Sequence, residues 1–187
     1  PIVFYGSSIT QGGCASRPGN TYPSILSRNL DCDYINLGFS SSAKAEDEMV
    51  NYIKDLEMSV FVMDYDHNAP NVEYLEKTHE KMFRKIRDRN PNLPIIMMSR
   101  PKYYLNDDDK KRLEVVKKTY QNAILEGDTN VYFLGGKSLM RIAKDNGTVD
   151  NCHPNDFGFY SIANAIEEVF KVSGIVNKLW TNLQTCS

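Results

Sequence analysis

The chain has 187 residues, 41% of them hydrophobic and 25% charged, with a formal net charge of −2. That length can bury a sizeable core within one domain, and the near-balanced charge supplies no basic field for nucleic acid or anionic lipid. No apolar run approaches the roughly 20 residues of a membrane-spanning helix.

The chain opens at Pro1 on the apolar run Ile2-Val3-Phe4-Tyr5, which reads as a strand covered on both faces. Gly6 then allows a sharp turn at the strand's C-terminal end, where α/β proteins place their ligands. A hydroxyl of Ser7 or Ser8 on that turn can be a nucleophile, a phosphate anchor or a helix cap. Asn20-Thr21 predicts the start of a helix with Pro23 in its first turn and Tyr22, Ile25, Leu26 and Leu30 on one face. A short strand, Asp33 to Leu37, is closed by Gly38. Ser40-Ser41-Ser42 predicts a second helix start, with Ala43, Glu46, Val50 and Ile53 at helical spacing. Met58 to Tyr65 is a second long apolar run and reads as a central strand, ending in Asp66-His67-Asn68-Ala69-Pro70.

A helix from Val72 to about Arg89 directs Leu75, Met82, Phe83 and Ile86 inward, with His79 bordering that stripe as a structural residue. Leu93 to Ser99 is the next strand. Asn106 and three acids open a helix striped by Leu113, Val116, Tyr120, Ala123 and Ile124, with Gly127 at its C-terminal end. The acids Asp107 to Asp109 suit a helix start better than a cation site. Asn130 to Leu134 is a fifth strand. A last helix from about Asn155 is expected to turn Tyr160, Ala163, Ile166, Val169 and Phe170 to the core, break near Gly174, and resume through Leu179 and Trp180. The alternation of strands and helices predicts a parallel sheet covered on both faces.

Cys14, Cys32, Cys152 and Cys186 show no zinc-site spacing and are expected mostly as small buried hydrophobes. A secreted protein with one or two disulfides, including a Cys14–Cys152 pair, stays open beside free thiols.

Function is suggested by Asp150-Asn151-Cys152-His153-Pro154. An Asp three residues before a His can accept the Nδ1 proton, leaving Nε2 as a general base toward a serine. With a serine after the first strand and an Asn after the third, all the parts of acyl transfer are present. The glycines match neither a P-loop nor the dinucleotide spacing.

These blocks, in order across nearly the whole chain, resemble the SGNH (GDSL-like) hydrolase superfamily. Gly6-Ser7-Ser8-Ile9-Thr10 is similar to its first block, Asn36-Leu37-Gly38 to its second, Asp66-His67-Asn68 to its third, and Asp150 to Pro154 to its fifth. The resemblance implies a three-layer α/β/α sandwich around a five-stranded parallel sheet in the flavodoxin-like order 2-1-3-4-5. It implies Ser8 as nucleophile with His153 and Asp150, an oxyanion hole from Ser8, Gly38 and Asn68, and no metal or organic cofactor. Two departures stand out: Ser7 replaces the first-block Asp, and the third block has Asp66 and Ala69 where the family has Gly and Asp.

The string from Gly6 to Gly19 is similar to a bacterial branch of GDSL-like acylhydrolases whose members often carry a β-rich domain ahead of the catalytic one. The expectation is therefore one catalytic domain over 1–187, separated from such a partner, and secreted, periplasmic or at a bacterial cell surface. The substrate expected is a short-chain acyl ester, with acetylated carbohydrate as the leading class. Arg17, Tyr65, Arg100, Tyr103 and Tyr104 are candidates to shape the cleft, with surface or packing roles as the alternative, and His67 reads as structural. A flavodoxin-like FMN binder and a catalytically silent carbohydrate-binding domain are the competing functions.

Overall fold

The computed structural model describes residues 1–176; Leu179, Trp180 and Cys186 lie outside the described residues. Strand β1 (Ile2–Gly6) is buried along its whole length. It is followed at once by the short helix α1 (Ser8–Gln11), then α2 (Tyr22–Leu30), β2 (Tyr34–Gly38), α3 (Asp47–Lys54) and β3 (Val60–Asp64). The second half adds α4 (Val72–Arg89), β4 (Ile95–Met98), α5 (Asp107–Leu125), β5 (Val131–Leu134), α6 (Gly136–Leu139) and α7 (Asp156–Val172). All pairings are parallel and the strand order is β2-β1-β3-β4-β5, which matches the expected sandwich and its order.

Alternate residues of each strand face opposite layers. Ile2, Phe4, Val60, Val62, Ile96 and Met98 pack with Tyr22, Leu26, Phe159, Ile162 and Ile166 of α2 and α7. Val3, Tyr5, Phe61, Met63, Ile95 and Met97 pack with Val50, Ile53, Met82, Phe83, Ile86 and Val116 of α3, α4 and α5. The inner residues are unbroken apolar runs because both faces are covered.

Helix starts follow local capping where the cap is local. Thr21 caps α2 by accepting from the Ser24 N–H, with Pro23 in the first turn, and Asn106 and Asp109 form a reciprocal capping box on α5. Three expectations fail. The helix expected at Ser40 begins only at Asp47, because Ser41 and Ala45 adopt φ of 60° and 58° and the Tyr5 hydroxyl accepts the Ala45 N–H at 2.9 Å. The buried face of α5 is Asp109, Arg112, Val116, Thr119 and Ala123, so the stripe is rotated toward polar partners and Ile124 is exposed. Tyr160 points outward, since Phe159, Ile162, Ala163 and Ile166 fill the buried face of α7.

His79 is buried and satisfied, with Nδ1 2.9 Å from Thr119 Oγ1 and its ring stacked on Tyr65. Gly127 closes α5 in the left-handed region at φ 89°, its N–H donating to the Ile124 carbonyl. No described helix is long and apolar enough to cross a membrane.

Candidate active site

Three strands end level with one another, for Gly6 pairs with Gly38 on one side and Asp64 on the other. A Cβ on Gly6 would meet Thr10 Oγ1 at 2.1 Å and the Asp64 carbonyl at 2.6 Å, so only glycine lets α1 start so close to the strand. Ser7 is the N-cap of α1: its buried Oγ accepts the Ile9 N–H at 3.2 Å. Ser8 is therefore the first helical residue, with its hydroxyl free to point elsewhere.

The Ser8 hydroxyl lies 3.0 Å from His153 Nε2, and His153 Nδ1 lies 2.7 Å from Asp150 Oδ2. The other carboxylate oxygen of Asp150 accepts the backbone N–H of His153 at 2.6 Å and of Cys152 at 3.0 Å. These bonds, led by the one from the imidazole, hold the Asp150 carboxyl down at about 2. The loop is closed by an antiparallel bridge between Thr148 and Pro154 and by the Val149 N–H on the His153 carbonyl. Asn151 turns it at φ 63°, and Asn155 caps α7 immediately afterwards. The His153 side chain is 30% exposed and that of Asp150 49%, so the dyad is reachable from solvent.

Asn68 sits in a single 3₁₀ turn, Asp66–Asn68, just beyond β3. Its Nδ2 donates to the Phe39 carbonyl at 2.7 Å, leaving one amide hydrogen for a ligand. Gly38, expected to donate its N–H to an oxyanion, does not have it free: that N–H donates to Asn36 Oδ1 at 2.9 Å. Gly38 is needed for fit instead, because a Cβ there would meet the Gln11 nitrogen at 2.2 Å. Along the same segment, the Phe39 N–H donates to the Gly6 carbonyl and the Ser42 and Ala43 N–H groups to Phe39. Ser40 donates to Gln11 Oε1. Among the described residues the Ser41 N–H has no acceptor, and neither has that of Ser8.

Beneath the serine turn, Asp64 Oδ2 accepts the hydroxyls of Thr10 at 2.8 Å and Tyr22 at 3.0 Å. Burial raises this carboxyl to about 7 against the pull of those two bonds. A carboxyl raised on folding keeps a proton that the unfolded chain releases near pH 4. Its contribution to stability is full below that pH, is lost as pH rises toward 7, and is level above. Asp64→Asn keeps the shape without the titration. Its stability relative to the wild type, read from thermal unfolding, is expected to climb between pH 4 and 7 by on the order of 4 kcal/mol. Parallel pH–stability curves for the two proteins would refute this.

The proposed cleft residues divide. Tyr65 is not at the rim: it is 1% exposed and bonds Thr78 through its hydroxyl. Arg100 is largely buried, and its charge is spent on Asp109 at 2.9 Å and Asp108 at 3.3 Å. Its backbone N–H donates to Asp66 Oδ2. Arg17 is exposed and bonds Asn20 Oδ1 through Nε; Asn20 and Ser16 in turn bond Asp156, tying this loop to the start of α7. Tyr103 packs partly buried against the core, edge-on to the exposed Tyr104.

His67 lies against the loop of His153, its Nδ1 3.8 Å from Cys152 Sγ, and burial pushes it down to about 3, so it is neutral. Cys14, Cys32 and Cys152 are free thiols and Cys14 is exposed, so the Cys14–Cys152 bridge is not formed. Sequence reasoning missed Asp64 and Arg112. Counting by two from Val60 and Val62 places Asp64 on their buried face; the cue for Arg112 is weaker, being its place four residues before the buried Val116.

The sequence profile of the GDSL-like lipase/acylhydrolase family matches residues 1–171. No curated protein sequence matches the chain. Among solved structures, a protein from Bacteroides ovatus described as a GDSL-like lipase shares 30% identity at a TM-score of 0.81, over 94% of this chain and 53% of its own. The salicylyl-acyltransferase SsfX3 of a tetracycline biosynthetic pathway shares 21% at 0.78, over 92% and 54%. A family two carbohydrate esterase from Clostridium thermocellum, in complex with cellohexaose, shares 17% at 0.71, over 93% and 64%. The chain thus spans about half the length of the first two, and the likenesses below 25% identity show the fold alone.

Proposed function

The chain belongs to the GDSL-like lipase/acylhydrolase family, and from that premise we propose that it is a serine ester hydrolase working through an acyl-enzyme. The observation that carries the reading is the unbroken relay from Ser8 through His153 to Asp150, with links of 3.0 and 2.7 Å. His153 Nε2 takes the Ser8 proton as Oγ adds to the ester carbonyl carbon. Asp150, ionised throughout the working range, orients the imidazole and stabilises its charge. The oxygen that becomes negative is met by the free N–H of Ser8, the second amide hydrogen of Asn68 and the unspent N–H of Ser41. Ser41 takes the place first expected for Gly38. Collapse breaks the ester C–O bond and Nε2–H protonates the departing alkoxide. Water then adds to the acyl-enzyme, giving its proton to His153, and the acid leaves as Ser8 is restored.

The substrate we propose is a short acyl ester, an acetyl group on carbohydrate being the leading class. The fold shared with a carbohydrate esterase is consistent with that choice, and the sequence branch favours it. An FMN site is disfavoured because the first hydroxyl of the turn, Ser7, is spent inward as a cap. The test is hydrolysis of p-nitrophenyl esters from acetate to octanoate, followed by acetate release from acetylated xylan. Acetate is expected to be the best chromogenic ester, with measurable release from xylan. A preference for octanoate would overturn the substrate class, and no hydrolysis of any ester would overturn the activity.

A further inference from the structure

We propose that Arg112 is a positioning residue for catalysis: it clamps the backbone on both sides of Asn68 so that the amide is held where an oxyanion forms. The proposal rests on the reading of Asn68 as an oxyanion donor.

The turn that carries Asn68 has little to hold it. Its own backbone bonds are the Asn68 N–H on the Tyr65 carbonyl at 2.9 Å and the Ala69 N–H on Asp66 at 3.3 Å, and one such turn has poor hydrogen-bond geometry. It also lacks the glycine and the aspartate that flank the corresponding asparagine in the family pattern, having Asp66 and Ala69 instead. Arg112 supplies the missing constraint from another element. Its Nη1 donates to the Asp66 carbonyl and to the Ala69 carbonyl, both at 3.0 Å, so one guanidinium nitrogen bridges the residues before and after His67-Asn68.

The guanidinium is itself fixed. Nε donates to Asp108 Oδ2 at 2.7 Å, and Nη1 faces Asp66 Oδ1 at 3.5 Å. Asp66 is pinned from its other oxygen by the Arg100 N–H at 3.0 Å. Arg112 is 4% exposed. Burying an arginine is costly unless it is paired and hydrogen-bonded. Packing alone would be served as well by an apolar residue. Charge-assisted bonds to two carbonyls deliver geometric precision instead. The backbone is held by Arg112 while the Asn68 side chain is held by the Phe39 carbonyl. An error of about 1 Å in such a donor can cost roughly 100-fold in rate.

The test is a double-mutant cycle on p-nitrophenyl acetate hydrolysis with Arg112→Lys and Asn68→Ala, with thermal unfolding confirming that each variant is folded. Lysine keeps the charge beside Asp66 and Asp108, but its single nitrogen cannot hold Asp108, as Nε does, and bridge both carbonyls, as Nη1 does, at the same time. In the wild-type background kcat is expected to fall at least tenfold with KM within twofold. In the Asn68→Ala background the same change is expected to lower kcat less than twofold, because nothing remains to position. Equal losses in the two backgrounds would make Arg112 a merely structural residue and overturn the proposal while leaving Asn68 in its role. Full activity in Asn68→Ala would instead remove the oxyanion reading and the proposal with it. Asp108→Asn, at a half-exposed partner of Nε, repeats the cycle without stranding a buried charge. It is expected to lower kcat severalfold in the wild-type background alone, and equal losses would overturn the proposal again.

Discussion

Ser8→Ala is expected to lower kcat for p-nitrophenyl acetate by about 10³- to 10⁶-fold while leaving the fold unchanged. The Ser8 hydroxyl bonds His153 Nε2 and no other described side chain, so its removal strands no buried polar group. The helix it begins is capped by its neighbour. Ser7→Ala should show the reverse profile. That buried Oγ accepts the Ile9 N–H, and its loss should cost about 1 kcal/mol of stability with kcat kept within about tenfold. Steady-state kinetics, thermal unfolding and mass-spectrometric mapping of a fluorophosphonate adduct separate the two. An adduct on Ser7, or activity lost in Ser7→Ala and kept in Ser8→Ala, would move the nucleophile by one residue.

Asp150→Asn should be nearly as damaging, lowering kcat by about 10²- to 10⁴-fold, through the proton inventory of the imidazole and not through charge alone. In the wild type the carboxylate accepts from Nδ1 at 2.7 Å, which leaves Nε2 unprotonated and able to take the serine proton. The two backbone N–H groups of Cys152 and His153 converge on Oδ1, so an asparagine must keep its carbonyl oxygen there and turn its NH₂ toward Nδ1. That pairing requires Nδ1 to accept, which puts the hydrogen on Nε2 and removes the base. KM should change little, and a kcat within threefold of the wild type would refute the assignment. Because Asp150 titrates near pH 2, activity lost on acidification from pH 8 to 5 should not be attributed to its protonation.

What the sequence made legible was what its signals encode locally. The apolar runs of β1 and β3, the Thr21 cap and the i,i+3 spacing of Asp150 and His153 all depend on neighbours within a few residues. The start of α3 was hidden because it is decided by the Tyr5 hydroxyl, forty residues away. The buried face of α5 was misplaced because Asp109, Arg112 and Thr119 are held by polar partners that hydrophobic periodicity does not report. Gly38 was assigned an N–H that only a local side chain, Asn36, occupies, a competition that motif alignment does not weigh. Tyr65 was within reach: counting by two from Phe61 and Met63 puts it on the same buried face.

The loop that holds Asp150 and His153 has a mechanical consequence. Asp150 and His153 belong to one short bridged segment, while Ser8 opens the short helix that follows the first strand. A single 3.0 Å bond, spanning 145 positions of the sequence, connects them. The relay is thus two pieces meeting at one joint, and the joint is set by how the last helix seats against the sheet and by the Ser16 and Asn20 bonds to Asp156 at its start. A slight slip of that helix would idle the enzyme with both halves intact, which makes turnover a finer gauge of its seating than any measure of overall folding.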